Sequence, residues 1–154
     1  MSVTTTWLRL DQLRPARDPG IGEAAPVAPS GELSRWFYEA VGRDYSWTDR
    51  AGWSDADWGA WAPTVETWVL TVGGERAGYF ELRLEDGVEV RSFGLLSAFH
   101  GRGLGGWLLT VALRRAQELG EPVWLHTCTL DGPAALPNYR ARGMVPYRTE
   151  TSER

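Results

Sequence analysis

The chain has 154 residues, a formal net charge of −4 and 43% hydrophobic residues, the size and composition of one globular domain with its own core. All sixteen basic residues are arginine, so no lysine is present to act as a nucleophile or Schiff base, and the negative balance without a basic stripe speaks against a nucleic-acid binder. A lone cysteine, Cys128, excludes an internal disulfide, two histidines leave little for a transition metal, and no apolar run of ~18 residues spans a membrane. Residues 1–154 are therefore expected to form one cytoplasmic domain, monomeric or homodimeric, with no nucleic acid, membrane or metal as partner.

In chain order, Val3–Leu10 alternates and is rich in β-branched residues, which predicts a first strand. Residues 14–31 carry four prolines and predict a loop of a length often found in lids or disordered segments. Ser30 can cap a helix over Glu32–Val41, closed by Gly42. Ser54 can cap a second, short helix that Pro63 stops. From Val65 the period changes to two: Val65–Val72, Arg76–Leu84 and Val88–Leu95 read as strands joined at Gly73-Gly74 and Asp86-Gly87. A long helix follows, then a strand over Val123–Thr129, a short helix over Pro133–Arg142 and a last strand over Met144–Thr149. An antiparallel meander followed by βαβ predicts a mixed α/β sheet in which Val88–Leu95 and Val123–Thr129 run parallel.

The chain turns on the segment from Val88 to Leu119. After a glycine-rich loop the apolar residues Leu104, Trp107, Leu108, Val111, Ala112, Ala116 and Leu119 repeat at helical spacing. Gly101, Gly103, Gly105 and Gly106 stand at the start of this helix, where glycine is a poor helix former. They make either a flexible strand-to-helix turn or, the reading favoured by so many glycines, a place where a phosphate reaches the free N–H groups of the first turn. The G-x-G-x-x-G pattern at Gly101, Gly103 and Gly106 lacks the repeated βαβ setting of a dinucleotide fold.

His100-Gly101-Arg102-Gly103-Leu104-Gly105, in its place after the meander, resembles the R/Q-x-x-G-x-G/A signature of the GNAT superfamily of acetyl-CoA-dependent N-acetyltransferases, with His at the first position. The resemblance runs from about Val65 to Thr149. It implies an α/β (mixed α+β) fold with a mixed, mostly antiparallel sheet of six or seven strands, splayed between the fourth and fifth, and about four helices. It also implies acetyl-CoA as co-substrate, its pyrophosphate held by the loop from His100 to Gly106, with Arg102 adding charge, and its pantetheine arm paired along Phe93, Gly94 and Leu95.

An alkyl ammonium with pKa ~10.4 is neutral in roughly one molecule in 2,500 at pH 7, a deficit of ~4.6 kcal/mol that a general base can partly offset. Glu89 is the first candidate, at the offset from His100 where members of the family that use a strand-four glutamate carry it; Glu81 is second and Glu66 third. Each can instead be an ordinary strand residue. The stretch Ala134 to Met144 resembles the family's segment whose tyrosine sits near the sulfur, which makes Tyr139 the candidate proton donor to the departing thiolate, with Asn138 orienting the cofactor or capping the helix. Cys128 reads as a small strand residue or as a covalent acetyl carrier. The acceptor amine, from a small molecule or a peptide, is expected among Trp36, Tyr38, Trp47 and His126, in a region whose carboxylates favour a cation. A non-catalytic module that binds acyl-CoA as a sensor shares the loop but needs neither Glu89 nor Tyr139.

Overall fold

A computed structural model describes residues 1–153. The strands are β1 (Ser2–Leu10), β2 (Glu23–Pro26), β3 (Glu66–Val72), β4 (Glu75–Arg83), β5 (Val88–Leu95), β6 (Val123–Cys128) and β7 (Met144–Glu153). The α-helices are α1 (Gly31–Gly42), α2 (Asp55–Trp61), α3 (Leu104–Leu119) and α4 (Ala135–Ala141). All seven strands join one sheet in the order β2-β3-β4-β5-β6-β1-β7. Among the described residues only the β5–β6 pair is parallel, because α3 carries the chain across the sheet between them.

The meander forms as the sequence predicts. Gly73 and Gly74 both take left-handed φ, 58° and 81°, which closes the β3–β4 hairpin in the twist its strands require. In β5 the register slips: Leu82 faces Val90 and Glu81 faces Ser92, so Arg91 is the extra residue of a bulge. The bulge places Glu89 and Ser92, three residues apart, on the same side of the sheet.

α3 packs on the other side. Leu104, Leu108, Leu109, Ala112, Leu113 and Ala116 are fully buried against Leu82, Val88, Val90 and Leu125. The buried stripe is turned about the helix relative to the predicted one: Leu109 and Leu113 belong to it, while Trp107, Val111 and Leu119 flank it. Beneath α1, Phe37 stacks on Tyr79 at 4.9 Å, and Val41 and Val69 complete a second core.

Three predictions are corrected. The proline-rich segment contains β2, which pairs with β3 along the sheet edge, and the part before it is tied down by Asp11, Arg14 and Ala16, whose N–H groups donate to the Gly143 and Arg142 carbonyls and to Thr110 Oγ1. The last strand runs longer than expected: β1 lies between β6 and β7 and pairs with β7 as far as Glu153, four residues past its predicted end. β6 ends at Cys128, one residue before its predicted end, because Thr129 opens a short turn to Asp131, and α4 begins at Ala135 rather than Pro133.

Candidate active site

β5 and β6 pair only at Val88–Val123 and Glu89–Trp124. Beyond these pairs the strands part, and a cleft of about 1190 Å³ opens between them. This is the splay expected between the fourth and fifth predicted strands. Phe93 and Leu95 line one wall, Leu125 and His126 the other, and α4 with the start of α3 close one end.

The start of α3 leaves its first-turn N–H groups without a side-chain cap. Gly101 and Gly103 hold φ of 76° and 77°, the left-handed region in which side chains are strained. Gly103 is the N-cap and supplies no side-chain acceptor to the first turn, and the space where a Gly101 Cβ would stand is empty to 4 Å. Uncapped N–H groups at the positive end of a sixteen-residue helix suit a phosphate or pyrophosphate. The neighbouring positions do other work. Leu104 is fully buried in the core. Gly105 offers its carbonyl to Asn138 Nδ2 at 3.2 Å, which ties α4 to α3. At Gly106 a Cβ would come within 2.6 Å of Arg142 Nη1 and 3.1 Å of Ala16, so this glycine serves packing. Arg102 is exposed and lies over the Phe99 ring. His100 Nε2 stands 3.3 Å from the Leu95 carbonyl and 3.4 Å from the Tyr45 hydroxyl, linking the loop to the end of β5.

Tyr139 is buried and lines the cleft, edge-on to Phe93. Its hydroxyl has no hydrogen-bond partner among the described residues, and burial raises its pKa above the ordinary tyrosine value. Glu89 is 2% exposed; its Oε2 lies 3.4 Å from Arg91 Nη1 and 3.8 Å from His126 Nε2.

A model of the acetyltransferase (GNAT) family matches residues 32–144 of the sequence. The chain belongs to the GNAT acetyltransferase family. Solved structures share the fold: a GCN5-related N-acetyltransferase from Kribbella flavida superposes with TM-score 0.67 at 22% identity, and a GNAT-family acetyltransferase from Colwellia psychrerythraea with 0.70 at 13%. Each match covers 98% of this chain, which spans 56% of the Kribbella protein and 55% of the Colwellia one. An aminoglycoside acetyltransferase from an uncultured soil metagenomic sample, solved with sisomicin, matches at TM-score 0.63 and 10% identity over 79% of this chain and 87% of its own. No curated protein is similar in sequence at a significant level.

Within this GNAT domain the remaining candidates divide. Glu81 is 1% exposed and accepts from Ser34 Oγ, Thr67 Oγ1 and Trp61 Nε1 at 2.7, 2.9 and 3.0 Å. A carboxylate so engaged pins α1 and α2 to the sheet, and it does not line the cleft. Glu66 is taken by Arg115 of α3, at 2.6 and 3.0 Å, and by Trp68 Nε1; the Arg115 hydrogen bond holds its pKa below the usual value. Gly94 opens space for Val41, whose Cγ1 would stand 2.4 Å from an added Cβ. Trp36 lies away from the cleft, on the outer side of α1 under the Arg76 guanidinium.

Tyr38, Trp47 and His126 do line the cleft. The Tyr38 hydroxyl donates to Asp49 Oδ1 at 2.7 Å and accepts from the Arg50 N–H; burial, then Asp49, pushes its pKa up to about 12. Trp47 Nε1 donates to Asp131 Oδ1 at 3.1 Å, fastening the loop after α1 to the far wall. The His126 side chain is 41% exposed, and desolvation lowers its pKa below 6.5 despite the opposing pull of Glu89. Cys128 is half-buried and its thiol caps the turn at Asp131.

The sequence reading missed Arg50, Arg91 and Asp131 as cleft residues. Asp131 accepts from Thr127, Cys128 and Trp47, a role that the turn after β6 creates and that no periodicity signals. Among the described residues no cluster of His, Cys, Asp and Glu could hold a metal ion, and no helix is long and apolar enough to cross a membrane.

Proposed function

We propose that this GNAT domain transfers an acetyl group from acetyl-CoA to a primary amine of a small molecule or peptide, by direct attack in a ternary complex. The observation that carries the reading is the Tyr139 hydroxyl, unpartnered and lining the same cleft as the glycine cradle. Gly101 to Gly105 would hold the pyrophosphate through backbone N–H groups, and Phe93 and Leu95 would flank the pantetheine arm. The co-substrate supplies an activated acyl carbon: the amine nitrogen bonds to it, the carbon–sulfur bond breaks, and sulfur leaves with the electron pair.

The chain then has two protons to manage. His126, whose pKa partial desolvation holds below 6.5 and which is therefore neutral at pH 7, takes the proton from the attacking amine. Glu89 is too enclosed to reach an acceptor itself and acts as a positioning residue, its charge 3.8 Å behind the imidazole favouring the protonated ring. Tyr139 donates the proton that the leaving thiolate requires.

Thiol release from acetyl-CoA with a broad amine panel tests the reading. Turnover that falls in Glu89→Gln and Tyr139→Phe supports it. Saturable CoA binding with no thiol release from any amine would make the domain a non-catalytic acyl-CoA-binding module. Thermal stabilisation by NAD and not by acetyl-CoA would overturn both.

A further inference from the structure

The loop between α1 and α2 turns Arg50 inward, against the aromatic rings of both helices and onto the cleft. Arg50 is 5% exposed, yet none of its five N–H donors meets an acceptor within hydrogen-bond distance among the described residues. Its guanidinium is framed by rings: Trp61 at 4.2 Å, Trp53 at 4.8 Å, Tyr38 at 5.4 Å and Trp58 at 5.5 Å from its central carbon. The closest carboxylate atom is Asp49 Oδ2 at 4.0 Å, on a side chain 68% exposed. A buried guanidinium left this way is costly unless something accepts from it.

The protein's own carboxylates do not serve. Glu81 is filled by three neutral donors, Asp131 by three more, and Asp49 takes the Tyr38 hydroxyl. Glu89 contacts Arg91 instead, at 3.4 Å, and Arg91 Nε is itself buried and unpartnered. The Arg91 guanidinium leans on the same Trp61 ring, 5.9 Å from its centroid, and both arginines line the cleft. Rings that would otherwise make a cage for a cationic acceptor already hold a cation.

We propose that the acceptor carries a carboxylate as well as its amine, and that Arg50 and Arg91 seat the carboxylate at the end of the cleft beside Glu89. A planar carboxylate can take two parallel N–H groups from the edge of a guanidinium, the geometry that a stacked and ring-framed arginine presents. The amine then extends along β5 towards Phe93 and Tyr139. This rests on the transferase reading above and narrows it to amino-acid-like acceptors.

The test is equilibrium binding, by calorimetry on CoA-saturated protein, of a panel of α-amino acids and, one for one, the amines left when the carboxyl group is removed. At least one amino acid should bind about tenfold or more tightly than its decarboxylated partner, the worth of one charge-assisted hydrogen bond. Arg91→Gln should erase most of that preference and Arg91→Lys restore part of it, with CoA binding by each variant reporting that the fold persists. Equal or tighter binding of the decarboxylated amines, no binding by either set, or a preference that survives Arg91→Gln overturns the inference. Thiol release measured in parallel keeps the two readings apart. Turnover confined to amines without a carboxylate sinks the subsite and keeps the transferase. A carboxylate preference without turnover does the reverse.

Discussion

Tyr139 on α4 and Phe93 on β5 meet edge to face, their ring centroids 6.2 Å apart and their planes at 65°. The contact fixes the phenol by its ring, and the hydroxyl makes no hydrogen bond among the described residues of the cleft it helps to line. Tyr139→Phe keeps the ring contact and removes only the oxygen. We expect kcat to fall by about 10²-fold, the low end for loss of a general acid, with CoA affinity and the urea midpoint unchanged. Thiol release and calorimetry measure the two quantities separately. Because burial raises the Tyr139 pKa, the hydroxyl stays protonated where an ordinary tyrosine begins to ionise, and the wild-type rate should not decline through pH 9 on its account. A variant as fast as wild type removes Tyr139 from the chemistry.

Gly94 lines the cleft and also makes room for packing on its other side. Its missing side chain accommodates Val41 of α1, 2.4 Å from an added Cβ. Gly94→Ala should destabilise the domain by about 1–3 kcal/mol through overpacking. Adding Val41→Ala should recover part of that loss, because the two sites share one space. Urea unfolding of the two single variants and the double gives the coupling; strictly additive effects would mean that Gly94 is required for some other reason.

The parts of this structure that could be read from the sequence are local. The helical repeat from Leu104 to Ala116 and the tight turn at Gly73-Gly74 are encoded within a few residues, and they locate α3, the meander and the splay. What could not be read depends on residues far apart in the chain. β1 has the same alternation whether it sits at an edge or between β6 and β7, and β2 is hidden because alanine and proline are poor strand formers that here need only an edge partner. Glu81 and Glu89 look alike as strand carboxylates; only the arrival of Ser34, Thr67 and Trp61 separates them. Trp36 and Tyr38 are two residues apart on a helix and point to different sides, so an aromatic-rich stretch could name the region but not the lining. Arg50 lies in a loop without periodicity, and the rings around it come from three separate segments.

The glycine cradle yields a clean separation of strain from function. At Gly101 a methyl group would touch nothing within 4 Å, so Gly101→Ala has no protein clash. Its φ of 76° still costs a side chain about 1–2 kcal/mol. The stability loss should stay within that range, while CoA affinity falls by about tenfold or more as the methyl enters the space above the free N–H groups. Thermal unfolding without ligand and calorimetry with CoA check the pair of outcomes. Unaltered CoA affinity would show that the anion sits elsewhere.

Glu89 and His126 make a pH-dependent pair whose sign can be worked out. Desolvation lowers the His126 pKa from 6.5, and Glu89 opposes that shift. For catalysis, the neutral ring is the proton acceptor, so kcat/KM should hold down to a pH below 6.5 and then decline as the ring protonates. Glu89→Gln removes the charge that raises the pKa, so the acid limb should move to still lower pH even as the plateau falls. A merely structural Glu89 would lower the plateau without moving the limb. For stability, the unfolded chain binds the His126 proton at higher pH than the folded one does, so the contribution is present above 6.5 and is lost as pH falls through the folded pKa. His126→Gln should flatten that part of the urea-midpoint profile, and it should also abolish the acid limb of kcat/KM. If the limb persists in His126→Gln, the proton acceptor is another group and the imidazole only lines the wall.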